Sequence, residues 1–313
     1  MENFCSYSNK ALRTLSSNKI TWNKLKENKE ISALFNLIDD PDEEVYNSVS
    51  NKIISFGKSI IPNLEHLWEK DNREEVQGRI ETLIHKLHYR DLAEDFATWK
   101  KGGCDLLKGA LLTARYQYPD LNEVKTLQDF EKIRRNVWLE LNNYLTPLEQ
   151  INVITSILYN YFKQKGVEIS YQQPAEFLIN KTLETKKGNP IGNGILYLIL
   201  CELLDIPVKV TKIPQQFILG YYDTTHEFLN PAGKSSDKIT FFIDPLNGQI
   251  YSHKDVEVYF KRIGLSSANA HFKKLDNKQI IAFLLTELSK CFDNDRNRYK
   301  MVELLNLAKL VKE

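Results

Sequence analysis

The sequence is poor in the residues that most often reveal a chemistry. It has six histidines in 313 residues, and none falls between His88 and His226. It has four cysteines, Cys5, Cys104, Cys201 and Cys291, and no two of them form a CxxC pair. That spacing argues against a zinc knuckle or a thioredoxin-type motif. Reduced thiols in a cytoplasm are the simplest expectation. No run approaches the ~18 apolar residues of a membrane helix, and the longest apolar stretch, Ile195–Cys201, is core-sized. The opening MENFCSYSNKALRTL is polar and is not expected to be a secretory signal. Nor is there an excess of one charge. With 42 basic and 41 acidic residues the net charge is +1, so no global field gathers nucleic acid or an anionic membrane. The mild basic excess after residue 250 reads as a solvated helix face.

What is present is ordinary globular material, 42% apolar and 27% charged. That balance excludes collagen-like, low-complexity and wholly disordered chains. The length suits about two domains, each able to bury a core. The first hundred residues read as successive helices. Ile31, Leu34, Phe35 and Ile38 open the pattern. Asp40-Pro41-Asp42-Glu43-Glu44 looks like a helix start capped by Asp40, with Glu43 three residues on. Val45, Val49 and Ile53 follow as a stripe, with Gly57 as its stop. Further stripes run through Ile60, Ile61, Leu64, Leu67 and Trp68, and then through Val76, Ile80, Leu83, Ile84 and Leu87. Short amphipathic helices of this kind must stack to bury their faces. The segment resembles one or two HEAT-type hairpins, but no second copy of the Asp-Pro-Asp-Glu-Glu start supports a full solenoid.

Gly102-Gly103 interrupts the pattern. Helices are expected again at about 104–115, 126–141 and 147–164. Ile195–Leu204 is apolar nearly all round, as in a helix buried on every side. Short β-type runs follow at Val208–Val210, Phe217–Tyr222 and Thr240–Ile243, with residues 223–237 as a long hairpin loop. Helical spacing returns at Ile280–Leu288 and Met301–Ala308. This order predicts an α+β fold.

Four pieces together resemble a known family. Lys187-Gly188-Asn189-Pro190-Ile191-Gly192-Asn193-Gly194 opens the buried helix, and Ile206-Pro207-Val208 follows it. Ile213-Pro214-Gln215-Gln216-Phe217 opens a strand, and Phe242-Ile243-Asp244-Pro245 closes another. The succession resembles the bacterial transglutaminase-like superfamily in its helical-repeat-associated branch; Tyr118-Pro119-Asp120-Leu121 and the Pro174 segment also fit. The resemblance implies a mostly helical α+β chain. HEAT-like helices would span 1–101, a transglutaminase-like (papain-like) domain with a small antiparallel sheet 102–265, and a helical tail 266–313.

In that superfamily a cysteine at the helix start is the nucleophile, a histidine on the next strand is the base, and an acid on the strand after orients the imidazole. Carried over residue by residue, those positions hold Gly192, Gln216 and Asp244. Glycine has no nucleophile, and glutamine takes no proton near neutral pH. A shift of register does not help, because Lys187–Leu200 contains no Cys, Ser or Thr. Cys201 lies nine residues beyond Gly192, ~180° round the helix and ~13 Å along it, and reads as a buried structural thiol.

The expectation is therefore a non-catalytic protein on a transglutaminase-like scaffold that binds an unidentified protein or peptide. Asn189, Gln216 and Asp244 would line a relic cleft between the helix start and the strands. The alternative is a hydrolase of another mechanism around Asp244, and a purely structural role also stands. No cofactor, metal, nucleic acid or membrane is expected. Asp244 before a proline has a plain role in bonding turn amides, and Asn189-Pro190 one in starting a helix. Tyr116, Tyr118, Tyr197, Tyr221 and Tyr222 read as half-buried core with bonded hydroxyls. His85 and His88 have a spacing that metals use but no third ligand, and His66, His226, His253 and His271 form no liganding pattern.

Overall fold

The computed structural model describes residues 30–223, 228, 233–265 and 272–313. His226, His271 and most of the expected 223–237 loop lie outside them. The chain divides into two compact units, one ending at Asp91 and one running from Leu92 to Glu313.

The first unit is helical. After a helical segment over 30–35 come α1 (Glu43–Ser55), α2 (Ile61–Lys70) and the first part of α3 (Glu74–Lys101). The cap of α1 is Asp42, whose side chain accepts from the Glu44 amide. Asp40 is not the cap: its carboxylate accepts the Asp42 N–H at 2.9 Å, so the helix starts two residues later than the sequence suggests. The expected stripes converge on one core. Val49, Ile53, Leu64, Ile80, Leu83 and Leu87 are buried together, because residues spaced by three and four share a helix face. Arg79 fastens the segment before α1 by donating to the carbonyls of Ile38 and Asp40, both at 2.8 Å. Gly57 takes φ +74°, a left-handed conformation that suits a residue without Cβ.

In the second unit, α3 ends at Lys101 where Gly103 and Cys104 turn left-handed. Then follow α4 (Leu106–Gln117), α5 (Glu123–Glu140) and α6 (Pro147–Thr155), which continues as a π-helical turn (Ser156–Tyr161). A short parallel pair, β1 (Lys165–Gly166) and β2 (Lys187–Gly188), flanks the 3₁₀ turn Pro174–Phe177 and α7 (Ile179–Thr185). β2 runs into α8 (Pro190–Leu203), which is buried from Ile191 to Cys201, as its all-round apolar sequence requires.

The main sheet is antiparallel, in the order β3 (Val208–Ile213), β4 (Gln216–Tyr222), β5 (Ile239–Ile243), β6 (Ile250–Tyr251). Alternation along β4 sends Phe217, Leu219 and Tyr221 to one face and Gln216, Ile218 and Tyr222 to the other. α8 lies on the first face. On the second, Ile218, Tyr222 and Phe242 form a core with Val256 and Phe260 of α9 (His253–Arg262). α10 (Asn277–Ser289) and α11 (Arg298–Lys312) pack on each other, and α10 also meets α4. The chain is α+β, mostly helical with a small antiparallel sheet.

Candidate functional site

The start of α8 is closed. Asn189 caps it, its Oδ1 accepting the amides of Ile191 and Gly192 at 3.0 Å each. Its carbonyl takes the Asn193 N–H at 2.9 Å. The backbone amides at this helix end are therefore in use. Asn189 is 0% exposed. Gly192 is also buried, beneath the turn Pro174–Phe177: a Cβ built on it runs into the Glu176 carbonyl oxygen and sits 3.1 Å from Thr182 Oγ1. Glu176 is held there because its carbonyl accepts the Asn189 N–H at 3.2 Å. Two residues on, Gly194 leaves room for the Phe217 ring. Thr182 Oγ1 and Asn189 Nδ2 are buried without partners among the described residues.

Gln216 and Asp244 do come together, but elsewhere. Gln216 follows the tight Pro214-Gln215 turn, in which Gln215 has φ +62°. Since Phe217 points to α8, Gln216 points the other way, toward α9. It lines a pocket of about 300 Å³ with Asp244, Tyr251, Asp255, Tyr259 and Arg262. Neither Asn189 nor Gly192 lines it. The expected cleft between helix start and strands is replaced by a pocket on the opposite face of the sheet, because strand alternation turns Gln216 away from α8.

Asp244 serves its turn. Its Oδ1 accepts the Leu246 N–H at 2.8 Å, and its carbonyl accepts the Gly248 N–H at 2.8 Å. Burial first, then the charges of Asp244 and Asp255, push the pKa of the Tyr251 hydroxyl up. Desolvation and then the Asp244 charge do the same to Tyr159, which donates to the Pro245 carbonyl at 2.6 Å. Arg262 lies over the Tyr259 ring, 5.4 Å from its centroid. The pocket presents two carboxylates, one guanidinium, an amide and two phenol rings, a set suited to holding a polar group and lacking a thiol or imidazole.

Two thiols outside it are held protonated by burial. Cys201 is buried, and burial drives its pKa far up; burial also pushes Cys291 up to about 12. The tyrosine hydroxyls are bonded inside the fold: Tyr116 to Glu303, Tyr197 to Thr155 and the Ile151 carbonyl, Tyr221 to Gln150, Tyr222 to the Phe272 carbonyl. Tyr118 lies under Lys181. Among the described residues no group of His, Cys, Asp and Glu side chains could hold a metal ion, and no helix is long and apolar enough to cross a membrane. Sequence reasoning missed α9 and its pocket residues, although Val256, Tyr259, Phe260 and Ile263 show helical spacing.

A buried helix entering one face of an antiparallel sheet, with the motif residues at its start and on β4 and β5, fits one class. A family model for the transglutaminase-like superfamily matches residues 125–286, just over half the chain and all four motif segments. The chain belongs to the transglutaminase-like superfamily. A UPF0162 protein of Xylella fastidiosa is 29% identical over 117 residues, 36% of this chain and 41% of that protein. A UPF0162 protein of Vibrio cholerae is 22% identical over 182 residues, 56% of this chain and 62% of its own length. F-box only protein 21 of Mus musculus is 27% identical over 71 residues, 23% of this chain and 11% of that protein. The match to the Xylella protein thus spans about two fifths of that relative. No solved structure matches.

Proposed function

We propose that this protein is a non-catalytic, cytoplasmic member of its superfamily that binds a segment of a partner protein, the HEAT-like N-terminal helices serving as scaffold. One observation carries the loss of catalysis: at the nucleophile position there is neither a reactive side chain nor room for one, since the Glu176 carbonyl occupies the space a Cβ needs. A thiol enzyme needs an exposed, electropositive cysteine, and the buried Cys201 is the reverse. The binding site is the Gln216–Asp244 pocket, whose volume falls at the small end of ligand pockets. Gln216 offers a donor and an acceptor without titrating. A hydrolase built on Asp244 is disfavoured, because its carboxylate is bonded to a turn amide and the tyrosine hydroxyl that shares its pocket has a raised pKa.

The test is affinity capture with the full chain against the Gln216→Ala, Asp244→Asn variant. Asparagine keeps the acceptor for the Leu246 amide, so the turn survives. Loss of partners from a folded variant supports the pocket; an unchanged partner set refutes it.

A further inference from the structure

The second unit carries another groove, formed where α5 lies alongside α6 and its π-helical turn. Its volume is about 700 Å³, and it shares no lining residue with the Gln216–Asp244 pocket. Its chemistry is ordered. Asn152, Ser156 and Asn160 stand four residues apart along one wall, Asn136 and Glu140 four apart along the other, and Val153 and Ile157 between them. Tyr161 ends the first wall and is 67% exposed.

Four residues advance ~6 Å along an α-helix. Two residues of extended chain advance ~6.6 Å, so one side chain of the row meets every second peptide unit. A four-residue step in an α-helix overshoots a full turn by ~40°, whereas one in the wider π-turn, with its i→i+5 bonds, undershoots, so the two steps of the row deviate in opposite senses. An asparagine amide offers a donor and an acceptor in one plane, as a peptide unit does. These groups are open: the Asn152 amide has no hydrogen bond among the described residues, Asn160 reaches Ser156 only at 3.5 Å, and Asn136 spends its amide N–H on the Lys132 carbonyl while keeping its Oδ1. Glu140 is the only ionic lining group, exposed and without an ion pair among the described residues.

We propose that this groove reads the main chain of an extended partner peptide carrying a basic residue. Asn152, Ser156 and Asn160 bond alternate peptide units, Val153 and Ile157 take the side chains that point down, and Glu140 meets the cation. Side-chain identity is thus read weakly except at the basic position.

The experiment is selection of random 12-residue peptides by phage display on the full chain, with affinities then measured by fluorescence anisotropy. The expected peptides contain a Lys or Arg. They weaken at least tenfold against Asn152→Ala, Asn160→Ala protein with an unchanged melting curve, and Glu140→Lys inverts the charge preference. On the wild-type protein, N-methylation of alternate peptide bonds costs at least tenfold, while intervening positions tolerate it. The proposal is overturned if no peptide is selected, if selected peptides bind the variants equally, or if N-methylation acts without alternation. It is also overturned if a glycan array is bound through the same asparagines, or if a second copy fills the groove in a dimer that the double variant dissolves.

Discussion

Substituting Gly192 by alanine tests whether the helix entry is closed by backbone. The added Cβ falls nearer the Glu176 carbonyl oxygen than the 3.0 Å that real Cβ atoms keep. Restoring an ordinary spacing of roughly 3.5 Å moves that carbonyl by about 1 Å. The obstacle is main chain, so no rotamer change relieves it. Moving it stretches the 3.2 Å bond from the Asn189 amide, worth about 0.5–1.5 kcal/mol net, on top of about 1–3 kcal/mol for overpacking a filled interior. Alanine regains about 0.5–1 kcal/mol over glycine within a helix. The balance is a destabilisation of about 0.5–4 kcal/mol, read from the shift in urea midpoint at unchanged slope. Gly78, in α3, supplies the opposite sign. A Cβ there meets nothing within 4 Å, so Gly78→Ala stabilises its unit by about 0.5–1 kcal/mol. A Gly192→Ala protein within 0.5 kcal/mol of wild type would refute the reasoning, because the turn over Gly192 would then yield freely.

Ile80 is 0% exposed in the core of the first unit, and Ile80→Ala should cost about 2–5 kcal/mol by chemical denaturation; a change near zero would mean the helices do not share that core. Iodoacetamide at pH 7 should leave Cys201 unmodified in the folded protein. Labelling of Cys291, with its pKa at about 12, should be slow and rise about tenfold per pH unit up to that value as the thiolate forms. Fast labelling of either thiol at pH 7, followed by mass spectrometry of peptides, would expose an activated cysteine the fold does not provide.

Much of the fold was written in spacing. The stripes through Val49, Ile53, Ile80, Leu83 and Leu87 announce helices that must stack, and the all-apolar run Ile195–Leu200 announces one covered on every side. The strands were legible because β-branched and aromatic residues cluster between turn residues. Asp42 displaced Asp40 as cap because both residues have the right side chain and only the path of the chain decides between them. α9 was overlooked although its spacing is regular, since its polar face dilutes the signal over ten residues.

The site was legible in a different measure. Missing side chains are visible in sequence: on the proposed residue-by-residue carry-over, Gly192 and Gln216 fall at the thiol and imidazole positions of the superfamily. What fills the vacated space is not. Glu176 acts through its carbonyl, which every residue possesses, so nothing in its identity marks it. The two proposed losses also have different physical status. A glutamine at 216 still reaches a pocket and keeps hydrogen-bonding capacity, so that position remains usable for recognition. A glycine at 192 has let the backbone of another segment settle against the helix, and that segment now contributes to stability through the Glu176–Asn189 bond. Restoring a cysteine there would have to displace main chain. A Gly192→Cys, Gln216→His protein is thus blocked at the nucleophile, whatever the histidine does.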